Sequence, residues 1–416
     1  MGPPGRVRPA PGSGADARLR GLRERSSGPV QLPCGGAGRA IEPRASRRPR
    51  SHEATDRAGS QPGGRLTAVR RVPPAGTTLP SRGPPGRTAS EKKTISTITP
   101  FPPAPPKPAS IERPVATRPT VALVRYVVPV ATIHLLGFLC LVPAFFSWSG
   151  VVVCLVGVHL FGQAITMGYH RLLTHRSFET RLWFEHLLVL LAMCSFEDTP
   201  ARWVATHRVH HAHSDDQEDP HSPLVSAFWG HMGWLLVFNR ALHTAGSYEK
   251  YARDVLRDPF YMWLERRSWR IAVIYTVHAA IFFIVGLVVG WSMWGMTEGL
   301  WFAASIVVWG VIVRTLLVWH ITWSVNSLSH LCGYRNHETK EESRNNWFVA
   351  LLSAGEGWHN NHHHDPKSCT VRHRWWELDV THLEIKLLQR LGIVTSIVPP
   401  RAERTRLAIA KIKNSR

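Results

Sequence analysis

Apolar and polar positions divide this chain sharply. From residue 121 onward apolar residues run together in stretches long enough to cross a bilayer, which takes about 20 residues per helix. Four spans follow, roughly 121–146, 149–169, 271–293 and 299–321. The segment Phe146-Ser147-Trp148-Ser149-Gly150 joins the first two, and a few residues around Trp294 to Glu298 join the last two. The pattern predicts an all-α integral membrane protein of two helical hairpins with a large insert between them. Two further apolar stretches in the insert, Leu182–Phe196 and Leu224–Phe238, are interrupted by Glu185, His186, Gly230 and His231. At about 15 residues each they are too short to span, and interfacial or buried helices are predicted there.

Polar positions orient this arrangement. The two short links carry one acidic residue and no Lys or Arg, whereas the insert and the C-terminal part are rich in both. The positive-inside rule therefore puts the insert and both termini in the cytoplasm. A helix from Val151 to His175 would be roughly 37 Å long, against a hydrocarbon core of about 30 Å. Its last turns must project from the membrane, as must the fourth span if it continues through Trp323 to His330. Both projecting ends carry histidines, so a cytoplasmic helical cap is expected.

Composition changes the picture mainly at the N-terminus. Residues 1–118 hold 22 of the 50 Lys and Arg, 7 of the 29 acids and 21 of the 31 prolines, so most of the formal charge of +21 belongs to this segment. Such a segment buries too little apolar surface to offset the entropy of ordering, and a disordered, solvated tail is expected. It shows no aromatic interleaving or folded module that would specify a nucleic acid partner. Residues 119–398 then form the membrane domain and 399–416 a basic C-terminal tail. The six cysteines contain no CxxC pair and predict neither a disulfide framework nor a thiolate metal site.

The chemistry lies in four histidine clusters: His170 and His175; His207, His210 and His211; Asn326 and His330; and His359, His362 and His363. Positions i, i+3 and i+4 are neighbours on a helix, so each HxxHH set turns three imidazoles to one region, and Asn326 shares a face with His330. The i+5 spacing of His170 and His175 leaves the two side chains about 140° apart on a regular helix; a kink or two separate metals would reconcile them. Nine imidazoles exceed what one zinc needs. Two metals with open positions are the economical count, and imidazole suits Zn, Cu, Fe and Ni alike. The isolated histidines His134, His159, His278 and His320 read as structural residues.

These clusters resemble the delta-9 acyl desaturase family of the membrane fatty acid desaturases. The matching stretches are Gly168-Tyr-His-Arg-Leu-Leu-Thr-His-Arg-Ser-Phe178, Trp203-Val-Ala-Thr-His-Arg-Val-His-His211, Asp219-Pro-His-Ser-Pro223, Thr322-Trp-Ser-Val-Asn-Ser-Leu-Ser-His330 and Gly355-Glu-Gly-Trp-His-Asn-Asn-His-His363. The resemblance covers residues 120–395. It implies a diiron centre held by His170, His175, His207, His210, His211, His330, His359, His362 and His363, with Asn326 bound through a water. It also implies dioxygen as co-substrate and the insertion of a cis double bond, at the delta-9 position, into a saturated acyl chain.

No flavin or nicotinamide fingerprint is present. Electrons are expected from a ferredoxin or cytochrome b5 type donor with its reductase, steered by basic residues around Arg372, Arg374 and Arg401. Animal acyl-CoA desaturases carry Arg-Asp before the second histidine box where this chain has Ala205 and Thr206, and Arg374-Trp-Trp-Glu-Leu-Asp-Val-Thr381 is similar to the bacterial and plant branch. Both acyl-CoA and acyl-lipid carriers stay open. Trp203 and Trp323, beside the histidine motifs, are candidate substrate contacts. Arg314, inside the fourth span, is expected either to snorkel or to meet a substrate headgroup or carboxylate. A diiron lipid or alkane hydroxylase and a non-enzymatic metal-binding membrane protein are the competing functions.

Overall fold

The computed structural model describes residues 110–414. The expected solvated tail lies outside the described residues except for 110–118. There Thr117 is buried and the Ile111 amide donates to the Leu224 carbonyl at 3.3 Å.

Among the described residues four helical stretches are long and apolar enough to cross a membrane: Val124–Leu141, Trp148–Thr174, Arg270–Trp294 and Met296–Leu331. The first is α1 (Val124–Gly137) with a 3-10 extension, Phe138–Leu141. Ser147 then caps α2 (Trp148–Gln163), its Oγ accepting from the Gly150 amide at 2.9 Å. As expected of a helix reaching His175, this helix runs on past the span's end near residue 169, but as a π-helix, Ala164–Thr174.

β1 (Phe178–Thr180), α3 (Leu182–Met193), α4 (Pro200–His213), α5 (Ala227–His231), α6 (Ala245–Leu256) and α7 (Pro259–Glu265) follow. The helix predicted over Leu224–Phe238 is broken. Gly230 packs so tightly against Pro223 that a Cβ would lie 2.7 Å from its Cα, and after α5 only a 3-10 turn, Gly233–Leu236, remains.

α8 (Arg270–Trp294) turns directly into α9 (Met296–Val307) at Gly295, whose φ of +86° suits glycine. The two helices touch backbone to backbone. A Cβ on Gly290 would sit 2.8 Å from the Gly299 Cα, and one on Gly299 would sit 2.6 Å from the Trp291 amide nitrogen. Gly286 and Gly290 form the small-xxx-small stripe that permits such an approach where lipid supplies no hydrophobic drive. A second π-helical stretch, Val308–Val313, leads into α10 (Arg314–Leu331).

The remainder comprises α11 (Trp347–Leu352), α12 (His359–His364), α13 (Val380–Arg390), β2 (Val394–Ile397) and α14 (Arg401–Asn414). The expected C-terminal tail is thus an exposed helix over most of its length. β1 and β2 pair antiparallel, Phe178 opposite Ile397, a small sheet that helical periodicity did not predict. It seats the C-terminal segment next to the π-helix, with Phe178, Leu172, Leu188 and Ile385 buried together.

The main core lies where the π-helix, α3, α4, α6 and α7 meet, through Tyr169, Leu173, Val189, Met193, Val204 and Tyr261. Each side chain of this size contributes about 1.5–3 kcal/mol on burial. The histidine-bearing π-helix and the end of α4 are therefore held by packing of their opposite faces.

Candidate metal centre

Nine histidines converge, and they do so as two groups. His170, His175, His207, His211 and His362 bring one ring nitrogen each within 4.8 Å of one another, and His210, His330, His359 and His363 do the same. The groups interlock: α4 gives His207 and His211 to the first and His210 to the second, while α12 gives His362 to the first and His359 and His363 to the second. The i, i+3, i+4 spacing thus points three imidazoles inward without giving all three to one metal.

At the i+5 pair the structure has a π-helix in place of a regular one, and both histidines fall in one imidazole group. In the π-helix the backbone bonds skip five residues, and the His175 amide donates to the His170 carbonyl at 3.1 Å. The two rings therefore meet edge to face, with centroids 4.8 Å apart and planes at 90°, inside the same group of five.

The nitrogen geometry fits metal ions. In the first group Nε2 atoms face each other at 3.2 Å (His170 and His362), 3.1 Å (His207 and His211) and 3.0 Å (His211 and His362). In the second, His363 Nε2 lies 3.3 Å from that of His210 and 3.1 Å from that of His359. Ligands about 2.1 Å from one ion stand about 3.0–3.4 Å apart, the same spacing.

Outer nitrogens are held by carboxylates. His210 Nδ1 is 3.0 Å from both oxygens of Asp219, His330 Nδ1 is 2.7 Å from Asp215, His170 Nδ1 is 2.9 Å from Glu356 and His363 Nδ1 is 3.5 Å from Glu341. A proton fixed on Nδ1 leaves Nε2 as a bare lone pair. The Nε2 of His210, whose Nδ1 proton Asp219 fixes, is then a bare lone pair aimed at the His363 Nε2, where a cation could be held between them. The buried Nε2 atoms of His175 and His330 have no hydrogen-bond partner, as a ligand atom requires.

Protonation agrees with this at six of the nine histidines. Burial first, then crowding by neighbouring imidazoles, holds His175, His207, His211, His359, His362 and His363 well below the usual histidine range, so they are neutral. Metal ligation needs that form. Burial alone would raise the Glu356 carboxyl, but Arg171 and His170 outweigh it and hold it at about 2. Arg171 in turn forms a buried fork onto Asp379, at 2.9 and 3.1 Å, which ties the π-helix to the start of α13.

A cavity of about 350 Å³ opens from this cluster. Its walls are largely apolar, including Val130, Ile165, Val318 and Trp319, and it reaches His170, His207 and His359. Trp203 and Trp323, the predicted substrate contacts, both line it, and Trp203 stacks over the His207 ring with centroids 5.1 Å apart. Asn326 lines the same cavity one turn before His330.

Arg314 is placed differently from either expectation. It is fully buried and absent from the cavity wall, donating to the carbonyls of Gly310 and Cys194 at 3.2 and 3.0 Å, with Phe161 beneath its guanidinium. Its side chain braces α10 against the end of α3 instead of snorkelling, with the Gly310 carbonyl in the π-helical stretch and the Cys194 carbonyl at the end of α3 as its acceptors.

The carboxylates Asp215, Asp219, Glu341 and Glu356 were not singled out from the sequence. Asp215 and Glu356 stand within four residues of a histidine box and Asp219 within a matched motif, which is the signal that was there to use. Of the isolated histidines, His221 packs on His210 at 4.3 Å and approaches Asp219, whereas His134, His231 and His320 form a hydrogen-bonded row away from the cavity.

Comparison with known proteins agrees with this geometry. The fatty acid desaturase family model matches residues 146–391. An sn-1 stearoyl-lipid 9-desaturase of Anabaena variabilis is 38% identical over 266 residues, 64% of this chain and 90% of that protein. An sn-2 palmitoyl-lipid 9-desaturase of Nostoc sp. is 40% identical over 263 residues, 62% of this chain and 85% of that protein. An acyl-CoA C20 Delta5-desaturase of Anemone leveillei is 36% identical over 269 residues, 64% and 79% respectively.

Proposed function

The chain belongs to the fatty acid desaturase family, and on that footing we propose that it inserts a cis double bond at the delta-9 position of a saturated acyl chain carried on a membrane lipid. The observation that carries this reading is the pair of interlocked imidazole groups at the end of an apolar cavity. Names of the cyanobacterial relatives favour a lipid carrier, as do Ala205 and Thr206.

Two irons would be held, one by His170, His175, His207, His211 and His362, the other by His210, His330, His359 and His363, with Asn326 as the position that would act through a water. Iron bound there would supply the redox chemistry by which dioxygen takes two vicinal hydrogens from the chain and, with two electrons from the external donor and two protons, leaves as two waters. Asp215, Asp219, Glu341 and Glu356 orient the imidazoles. The cavity walls exclude water and fix which carbons lie nearest the centre, since position converts a strong oxidant into a selective one. Trp203 and Trp323 contact the chain.

The long helices form two hairpins, Val124–Leu141 with Trp148–Thr174 and Arg270–Trp294 with Met296–Leu331, and the histidine-bearing part is a cytoplasmic cap with both termini on that side. Electrons arrive from an external ferredoxin or cytochrome b5 type donor. The exposed Arg372 and Arg401, with Arg374 nearby, favour an acidic partner.

The test is expression in a desaturase-deficient host, followed by mass spectrometry that locates double bonds and identifies the lipid class bearing them. A delta-9 alkene on lipid is expected. A hydroxy acid without alkene would overturn desaturation, and alkene only on CoA would overturn the carrier.

A further inference from the structure

The cavity wall contains an acid that neither imidazole group uses. Glu197 lies between α3 and α4 and lines the cavity. Its Oε2 accepts the Trp203 indole N–H at 3.1 Å, while Oε1 is buried without a well-formed hydrogen bond. Through Trp203 the carboxyl sits one side chain away from His207.

Surrounding charges leave it unneutralised. Asp198, beside it in sequence, accepts the Tyr126 hydroxyl of α1 at 2.6 Å and faces Arg202 of α4 at 3.9 Å. Glu265 of α7 takes the other side of Arg202 at 3.8 Å, and Arg125 of α1 stands on the cavity wall. From α10, Thr322 approaches as a neutral hydroxyl. Among the described residues Glu197 has no ion-pair partner, because Arg202 is turned to the other two acids. Burial pushes its carboxyl up to about 7, the hydrogen bonds from Thr322 and Trp203 drawing it back less and Asp198 adding to the rise.

An acyl chain filling this cavity displaces the water that would solvate a carboxylate and offers only methylene groups in its place. A bare buried charge of this kind is strongly disfavoured, whereas the protonated acid is tolerated. We propose that Glu197 must be uncharged for an acyl chain to occupy the cavity, which makes it a specificity-determining residue through which acyl binding weakens as pH rises. Chain binding and ionisation of Glu197 exclude one another, so binding takes up a proton when the acid is ionised beforehand. The affinity is complete below the carboxyl's own range and is lost above it. The inference rests on the reading that this cavity receives the acyl chain.

The experiment uses the iron-loaded full-length protein in neutral detergent without reductant, so that no turnover occurs. Binding of nitroxide-labelled palmitoyl lysophosphatidylcholine is followed by quenching of the cavity tryptophans. This headgroup does not titrate near neutrality, so any pH dependence belongs to the protein. From about pH 6 to about pH 8 the apparent Kd should rise about tenfold for a single excluded ionisation near 7, and Glu197→Gln should abolish the rise. The infrared carbonyl band of a protonated carboxyl should fade over the same interval in the wild type and be reduced in E197Q.

A wild-type Kd that does not change with pH overturns the proposal even if E197Q fails to fold. A rise that persists unchanged in folded E197Q overturns it too. Product analysis at about pH 6 separates the two readings: a hydroxylated product with the pH dependence intact refutes desaturation only, whereas an alkene with no pH dependence refutes the role of Glu197 only.

Discussion

Asp219 faces His210 Nδ1 with both carboxylate oxygens at 3.0 Å, and neither side chain meets solvent. Asp219 also accepts the backbone amides of Asp215 and His221, at 2.9 and 3.1 Å, so the carboxylate is fixed before it orients the imidazole. Burial works against its charge, but His210 and these amides hold its pKa down.

Replacing this anchor tests whether orientation matters apart from ligation. Asp219→Asn keeps an acceptor but removes the charge that favours an Nδ1 proton and a basic Nε2. Iron affinity is expected to fall about 10–100-fold, measured by competition with a chelator. Unchanged affinity would show that His210 needs no such partner.

One histidine from each group tests the ligand assignment. His210→Ala and His362→Ala should each abolish unsaturated product and lower iron content, while the protein remains in the membrane fraction. Fatty acid chromatography, metal analysis and immunoblotting of membranes report the three outcomes, with about two irons per chain expected in the wild type. Retained product in both variants would refute the assignment.

Much of this was legible in the sequence because its signals are periodic. Long apolar runs mark spans, and i, i+3, i+4 spacing marks single-faced ligand sets, so all four long helices and the convergence of nine histidines were foreseeable. The exchange of ligands between the two groups was not, since it depends on how α4 and α12 cross. The i+5 spacing of His170 and His175 has no regular-helix meaning and became interpretable only as a π-helix. Glu341 is distant in sequence from the box it serves, and Arg314 found carbonyl partners that hydropathy cannot reveal. The segment after Leu224 breaks where Ser226 and Met232 leave helical geometry on either side of α5, which no pattern encodes.

Arg314 supplies a stability prediction that separates bracing from substrate contact. Arg314→Met fills similar space but leaves the carbonyl of Cys194, 3.0 Å away in the wild type, without its donor. A loss of about 3 kcal/mol is expected, seen as a lower Tm in detergent, with lipid-class preference unchanged. A variant of normal Tm and altered headgroup preference would restore the substrate role.

Glu377 offers a test that depends on pH. Burial would raise its carboxyl, but the Tyr334 hydroxyl at 2.6 Å, the amides of His373 and Arg374 and the Asn336 side chain together lower it. A carboxyl held low in the fold stabilises fully above the ordinary carboxylate range and loses that contribution as pH falls below it. Glu377→Gln should cost about 1–3 kcal/mol near neutrality, and the difference from wild type should shrink as pH falls through about 4. Thermal unfolding of both proteins across this range measures it; a gap that widens in acid would contradict the assignment.

The interlocking of the two imidazole groups also has a consequence for biosynthesis. Each group takes members from α4 and from α12, so the first is complete only at residue 362 and the second at residue 363, well after all four long helices. A nascent chain therefore carries two half-built sites at once, and a truncated one can finish neither. Truncation before α12 should therefore lower the iron bound at both groups together, as metal analysis of the membrane fraction would show.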